Sequence, residues 1–368
     1  MSFDIIDAEQ CFSKDLTPYH LIQGEFNLLK PYFYANQESP KKKKRKTTPS
    51  KADIETAKRH EELRPILMNC LNELKICWKE KNQVEPKEKK GEKNEIDFPS
   101  IQQMVEKAQM KFSDEQIYEK IDLVDMIYKD LDIFSVFNKI CMNNTDQLKL
   151  LEITPTATYL IPPQSTFIMG SMTDGSLEQL SEHVSLFDGV DLVVMDPPWP
   201  NKSVHRSSKY ETQDIYDLFS LPMTSMLKEG SLVAIWVTNK PKFRNFILKK
   251  LFPSWQLEPV SEWVWLKLTT KGECIFPLDS EHKKTYEQLI IGQRCKSQIV
   301  MPEKHVIVSV PSLRHSRKPP LQDVLMPYLE NKEKPVCLEM FARCLTPGWI
   351  SWGNECLKFQ HLNYFEKE

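Results

Sequence analysis

The sequence has no surplus of charge, no paired cysteines and no long apolar run, and each absence removes a class of function. Its 49 basic and 51 acidic residues leave a formal net charge of −2. The molecule is not a polycation, so any contact with nucleic acid has to come from a local basic patch. Nine cysteines are present, an odd number, and none falls in a Cys-x-x-Cys pair. That spacing offers neither a zinc module nor a disulfide framework, and it fits reduced, mostly buried thiols in an intracellular protein. No stretch approaches the roughly twenty apolar residues that span a bilayer. No basic region followed by an apolar run stands at the N-terminus. The expectation is a soluble, intracellular protein with no membrane partner and no metal. What is there suffices for a real core: 40% of the 368 residues are hydrophobic and 10% aromatic. That length allows two domains, or one large domain with an extension.

Composition changes near residue 150. Before it, apolar residues recur at helical spacing. Leu63, Ile66, Leu67, Cys70, Leu71, Leu74, Cys77 and Trp78 share one helix face. Ser113–Gln116 reads as a capping box, with Ile117, Ile121 and Val124 on one face behind it. Two gaps, residues 36–52 and 80–97, are rich in Lys, Glu and Pro and read as solvated loops. The expectation for 1–150 is a mainly helical region. After 150 the pattern alternates. Candidate strands are Thr158–Ile161, Phe167–Met169, Asp191–Met195, Ser231–Val237, Trp263–Leu268, Gln288–Ile291, Val306–Val310 and Trp349–Trp352, with candidate helices at Lys240–Leu251 and Leu321–Leu329. This predicts an α/β fold over 151–368, a twisted and mostly parallel sheet whose ligands bind beyond the strands' carboxyl ends.

The most informative stretch is Asp191-Leu-Val-Val-Met-Asp-Pro-Pro-Trp199. A buried strand ends abruptly in Asp196, Pro197, Pro198 and Trp199. The prolines fix the backbone and carry no N–H, which leaves carbonyls able to accept hydrogen bonds. This is what a reaction at an aromatic amine needs. The amine of adenine is a poor nucleophile because its lone pair is delocalised into the ring. A carboxylate and a backbone carbonyl accepting its two hydrogens favour the tetrahedral form that can attack a methyl donor. Asp196 supplies the first acceptor and the Pro197 carbonyl the second, and Trp199 can stack on the base. The chemistry requires no metal and no covalent intermediate. Without its context, Asp-Pro-Pro could equally be a strand end with a core tryptophan beside it.

Here the sequence resembles the mRNA adenosine methyltransferase (MT-A) family, whose signature is this Asp-Pro-Pro-Trp. The resemblance covers residues 150–368 and is closest to one branch. It also rests on Asn201–Tyr210, on Phe276–Glu287, on His315–Pro320, on Pro347–Asn354 and on Leu357–His361. It implies S-adenosylmethionine as cofactor, on a Rossmann-like sheet of permuted motif order, which accounts for the missing Gly-x-Gly-x-x-Gly loop. It further implies that Lys318 pairs with the cofactor carboxylate and that Arg343 lies near the ribose. Glu339, one helical turn before Arg343, would orient it. Asn354 and the backbone of Met169, Gly170 and Ser171 would contact the cofactor's adenine, with Asp196 beside it. The sequence departs from the mRNA enzyme at Gly170, where that enzyme has an acidic residue, and at Glu355, where it has an amide.

After the signature, Asn201, Lys202, His205, Arg206, Lys209 and Tyr210 place cations beside an aromatic, as a flipped base and its flanking phosphates require. Arg314, His315 and Arg317 are expected to extend that patch. Lys41–Lys46 is a dense basic run that reads as a nuclear-localisation signal or a nucleic-acid contact. The leading expectation is a nuclear RNA adenosine N6-methyltransferase. The branch resemblance implies small nuclear RNA carrying a 2′-O-methylated adenosine. A DNA adenine methyltransferase is the rival, since both substrates present the same amine. A catalytically silent RNA-binding subunit is the third reading, opposed by the intact Asp196 and Trp199.

Overall fold

The computed structural model describes residues 3–22, 24–32, 49–81, 120–122, 136–154, 157–200, 214–280, 283–295, 297, 299–314 and 316–368. In chain order the strands begin with β1 (Phe3–Ile5), β2 (Tyr19–Leu21), β3 (Lys120–Asp122), β4 (Ile140–Asn143) and β5 (Lys149–Thr154). They continue with β6 (Ala157–Ile161), β7 (Ser165–Met169), β8 (Val190–Met195), β9 (Leu227–Val237) and β10 (Leu257–Lys267). The last are β11 (Tyr286–Arg294), β12 (Lys304–Ser309), β13 (Cys337–Met340), β14 (Trp349–Gly353) and β15 (Phe365–Lys367). Helices among the described residues include α1 (Ala8–Ser13), α2 (Lys51–Lys81), α3 (Ser176–Ser185), α4 (Met223–Met226), α5 (Pro241–Phe246) and α6 (Gln322–Leu325).

Among the described residues eleven strands form one sheet in the order β1-β12-β10-β11-β9-β8-β13-β14-β7-β4-β3. The strands from β9 through β8, β13 and β14 to β7 are mutually parallel. On the other side β11 runs antiparallel to both β9 and β10, so β10, β12 and β1 point the same way as the central strands. β8 is a continuous apolar run because both its faces are covered. Val193 and Met195 pack with α3 and α5 residues on one face, and Leu192 and Val194 pack with Trp236, Trp263 and Ile307 on the other. β9 alternates in the same way. The chain leaves β8 toward β9 on one side, while β13 and β14 fill the place between β8 and β7 on the other. A crevice opens where neighbouring connections diverge like this, at the carboxyl ends of β8 and β13.

All eight strands expected after residue 150 are present, most of them extended by a few residues. The helix expected at Lys240–Leu251 is α5 followed by a wider π-helical turn, Ile247–Leu251. The one expected at Leu321–Leu329 is only α6 and a tighter turn, Met326–Tyr328. Elements not anticipated after residue 150 include α3, α4, β13 and β15.

The division near residue 150 does not coincide with a structural boundary among the described residues. β1, β3 and β4 belong to the main sheet, and β2 pairs with β15. Ile121, expected on a helix face, lies in β3. The stripe from Leu63 to Trp78 does form a helix face, that of α2. Leu63, Leu67, Cys70, Leu74 and Trp78 are buried on Val264, Leu266, Tyr286 and Val308 of the sheet. The Trp78 indole donates to the Thr270 carbonyl at 3.0 Å. The helix is thus a covering layer of the sheet. Its apolar face stabilises by roughly 1.5–3 kcal/mol per large side chain removed from water. The capping box at Ser113–Gln116 lies outside the described residues.

Candidate active site

Some of the residues singled out along the chain converge on the carboxyl edge of the sheet. Asp196 follows β8, Gly170 and Ser171 follow β7, Arg343 follows β13 and Asn354 follows β14. Lys318 lies in the connection after β12. Glu287, near the start of antiparallel β11, reaches the same edge. The cleft there is lined by Asp196, Trp236, Lys318, Glu339, Phe341, Arg343 and Trp349, among others.

Charges of alternating sign run through it. Lys267 pairs with Glu287 at 2.8 Å, and Glu287 with Lys318 at 2.9 Å. Lys318 reaches Asp196 at 3.3 Å, and Arg343 lies 3.7 Å from the same Asp196 oxygen. Arg343 pairs with Glu355 at 3.0 Å, and Glu355 with Lys358 at 2.9 Å. Burial works against the Glu287 charge, but Lys267 and Lys318 outweigh it and hold the carboxyl far below its usual range. Burial pushes the Lys318 ammonium down, yet Asp196 and Glu287 hold it above its usual value. Asp196 therefore sits between two fixed cations at the mouth of the crevice.

Glu339 differs from its neighbours. Burial, and then the negative charge of Asp196, push its carboxyl up to about 8, with Arg343 opposing. It is a neutral acid at pH 7, able to donate one hydrogen bond and accept others. Its expected place on a helix is corrected: it lies in β13, whose side chains alternate, so no helical turn links it to Arg343. Glu355 orients Arg343 instead. The acidic departure at Glu355 was the available sign of this, an anion twelve residues after an arginine that needs a partner. Glu287 closes one of the blocks that carry the resemblance, yet neither it nor Lys267 is expected in the site, because a lone charge on a strand does not show its partner in the sequence.

The signature itself is built differently from expectation at one position. The Trp199 ring is buried in the core against Phe243, with centroids 4.9 Å apart. Its indole N–H donates to the Trp236 carbonyl at 2.7 Å. An apolar ring with its one donor satisfied is most stable there, so Trp199 anchors the turn rather than facing a base in the cleft. The Pro197 carbonyl accepts from the Trp199 backbone N–H at 2.8 Å. A carbonyl has two lone pairs, so one remains for a substrate.

Gly170 explains the other departure. A Cβ there would meet the Ser176 side chain at 2.1 Å, and Ser176 Oγ is held by the Trp352 indole at 2.9 Å and bonds the Ser171 carbonyl at 3.0 Å. No acidic side chain fits. The Met169–Ser171 backbone is also partly committed. The Met169 carbonyl accepts from Asn138, the Gly170 N–H donates to Gly353, and the Ser171 N–H donates to Asp174. Asn354 is half-buried beside this turn.

Arg314 and Arg317 do not extend a surface patch. Arg314 pairs with Glu25 at 3.2 Å, and the Arg317 side chain is 2% exposed. His315, the loop residues Asn201–Tyr210 and the run Lys41–Lys46 lie outside the described residues. Among the described residues no cluster of His, Cys, Asp and Glu could hold a metal ion, and no helix is long and apolar enough to cross a membrane.

Residues 190–355, which span the strand before the signature through Glu355, match the family model MT-A70. This segment is what the chain has in common with the MT-A70 family. It is 40% identical over 252 residues to the N(6)-adenine-specific methyltransferase METTL4 of Mus musculus, covering 66% of this chain and 51% of that one. It is 41% identical over 214 residues to the N6-methyladenosine RNA methyltransferase MTA1 of Pyricularia oryzae, covering 55% of each. It is 34% identical over 227 residues to a DNA N6-methyl methyltransferase of Caenorhabditis elegans, covering 60% of each. The chain thus spans about half the length of METTL4. Asp196–Trp199 lies within the matched residues.

Proposed function

We propose that this protein is an S-adenosylmethionine-dependent N6-methyltransferase acting on adenosine in RNA. The observation that carries the reading is the Asp196 carboxylate at the end of β8, held between Lys318 and Arg343 beside a proline carbonyl with a spare lone pair. The relatives named above as adenine methyltransferases support it.

The cleft suits the cofactor by the chemistry of its side chains. The amino-acid end of the cofactor is a zwitterion, and Lys318 offers a compact cation to its carboxylate. Its ribose presents two hydroxyls, and a neutral Glu339 can both donate to and accept from such a pair. Phe341 and Trp349 provide flat apolar wall. Once bound, the cofactor supplies an electrophilic methyl group on a sulfonium. The protein's part is electrostatic. Asp196 accepts one hydrogen of the adenine amine and the Pro197 carbonyl accepts the other, which favours a tetrahedral nitrogen with its lone pair localised rather than delocalised into the ring. The methyl group would pass to the amine nitrogen as its bond to the donor sulfur breaks and that bond's electron pair stays on sulfur as a neutral thioether; the amine would become cationic, and the Asp196 carboxylate is placed to stabilise that charge. One proton then leaves the nitrogen for solvent. Lys318 and Arg343 keep the carboxylate in place, and the buried Trp199 keeps the turn from shifting.

The finer reading is small nuclear RNA with a 2′-O-methylated adenosine, supported by the sequence blocks from Asn201 to His361 that resemble one branch of the family. Residues Asn201–Tyr210 supply the cations for flanking phosphates. DNA is the rival substrate, favoured by the relative from Caenorhabditis elegans. The test is transfer of labelled methyl to RNA and DNA oligonucleotides side by side. RNA labelling without DNA labelling supports the proposal, and the reverse overturns its substrate. A nuclear location is part of the same proposal and rests on Lys41–Lys46. A fluorescent fusion with that run neutralised should leave the nucleus, and its retention there would remove the argument.

A further inference from the structure

The connection that delivers Lys318 is held from a distant part of the chain. Glu25 is buried, with 8% of its side chain exposed, and it touches that connection in four ways. Its backbone carbonyl accepts from the Leu313 N–H at 2.9 Å. Its carboxylate accepts from Ser312 Oγ at 3.1 Å and from Arg314 Nε at 3.2 Å. The same carboxylate lies 3.7 Å from Nη1 of buried Arg317.

Arg317 completes the arrangement. Its guanidinium lies 4.2 Å from the Phe12 ring centroid, 4.9 Å from Phe359 and 5.4 Å from Phe26. Its Nε and Nη1 have no hydrogen-bond acceptor. A guanidinium buried in that way is costly, and its compensation here is the three rings and the Glu25 charge. Lys318 is the next residue, and Pro319 and Pro320 stiffen the chain after it. Ser316, just before, takes a positive φ of 62° and its carbonyl accepts from Arg343 at 3.2 Å. Arg317 is drawn into the aromatic cage while Lys318 turns to Asp196 and Glu287.

We propose that Glu25 is a positioning residue: with Phe12, Phe26 and Arg317 it locks the 312–320 connection so that Lys318 is delivered to Asp196, which makes the N-terminal segment 8–28 a working wall of the cofactor cleft. Phe12 lines the cleft directly, beside Arg317 and Lys318. The inference rests on the reading of that cleft as the S-adenosylmethionine site.

The test compares the full chain with Glu25→Gln and Glu25→Asp. Gln keeps the size and the Ser312 contact but removes the charge that balances Arg314 and Arg317, while Asp keeps the charge. Hydrogen exchange of the 312–320 segment is read without ligand, and cofactor affinity by calorimetry. Glu25→Gln should speed exchange in that segment and weaken S-adenosylmethionine by about tenfold, the usual consequence of losing a charge-assisted contact. The KM for the cofactor should rise by more than kcat falls, and Glu25→Asp should recover part of the affinity. Unchanged exchange together with unchanged affinity in a folded Glu25→Gln overturns the inference. A parallel fall of kcat and thermal midpoint with unchanged KM also overturns it, since that marks a merely structural residue. If the unaltered protein binds no cofactor yet the exchange still responds, the functional reading fails and the coupling of Glu25 to the connection stands.

Discussion

Replacing Glu339 by Gln gives a pH-dependent change in stability whose size follows from the site. The carboxyl is pushed from an ordinary 4.5 up to about 8 by burial and by Asp196. The unfolded chain ionises near the ordinary value, while the folded chain keeps its proton until near pH 8. Folding therefore takes up a proton between those limits, and stability declines as pH rises through that window. Below the unfolded value both states are protonated and nothing is lost. At about 1.4 kcal/mol per pH unit, the loss reaches roughly 3 kcal/mol at pH 7 and about 5 kcal/mol above pH 8. Gln is neutral at every pH and of the same shape. Urea titrations of both proteins from pH 4.5 to 8.5 should therefore diverge. The variant gains on the wild type by about 3 kcal/mol on going from pH 4.5 to 7, whatever constant offset the amide brings. Parallel curves over that range would show that Glu339 is ionised in the folded protein and would refute the neutral-acid role given to it here.

Lys318→Ala should weaken S-adenosylmethionine binding by roughly 1.5–3 kcal/mol and RNA binding much less; equal losses in titrations of both ligands would remove Lys318 from the cofactor site. Gly170→Asp should destabilise by about 1–3 kcal/mol or more through overpacking against Ser176. Its thermal midpoint should partly recover on a Ser176→Gly background, and a midpoint equal to wild type would show that the turn is open. Neutralising Lys202, Arg206 and Lys209 together should weaken single-stranded RNA binding and flatten its salt dependence by about 0.7 per lost phosphate contact. An unchanged slope over a salt series would place the substrate path elsewhere.

The sheet was legible because its strands are buried on both faces. Runs such as Leu192–Met195 and Leu232–Val237 need no alternation to be recognised. β13 was not legible. Cys337–Met340 is four residues long and carries Glu339, and a short mixed run reads equally well as a helix turn. The N-terminal half misled for a related reason. α2 is strongly periodic and suggests a helical domain, yet its apolar face serves the sheet, and three-residue strands such as β1 are too short to register. In the site, Asp196, Lys318 and Arg343 were identified from motif resemblance and come together in the structure. Glu287, Lys267 and Glu25 could not be, since each owes its role to a partner far away in sequence. Arg317 was misplaced for the opposite reason. An arginine in a polar stretch reads as surface, and only the folded chain brings Phe12, Phe26 and Phe359 around it.

Methyl transfer to the adenine amine is expected to depend on Asp196. The most direct measurement is the transfer of labelled methyl from S-adenosylmethionine to adenosine-containing RNA by the wild type and by Asp196→Ala, with the modified nucleoside identified after digestion. The wild type should give N6-methyladenosine, and the variant should remain folded and lose about a hundred- to a thousand-fold in rate. A folded Asp196→Ala protein within a few-fold of wild-type activity, or a product methylated at any position other than N6, would contradict this expectation.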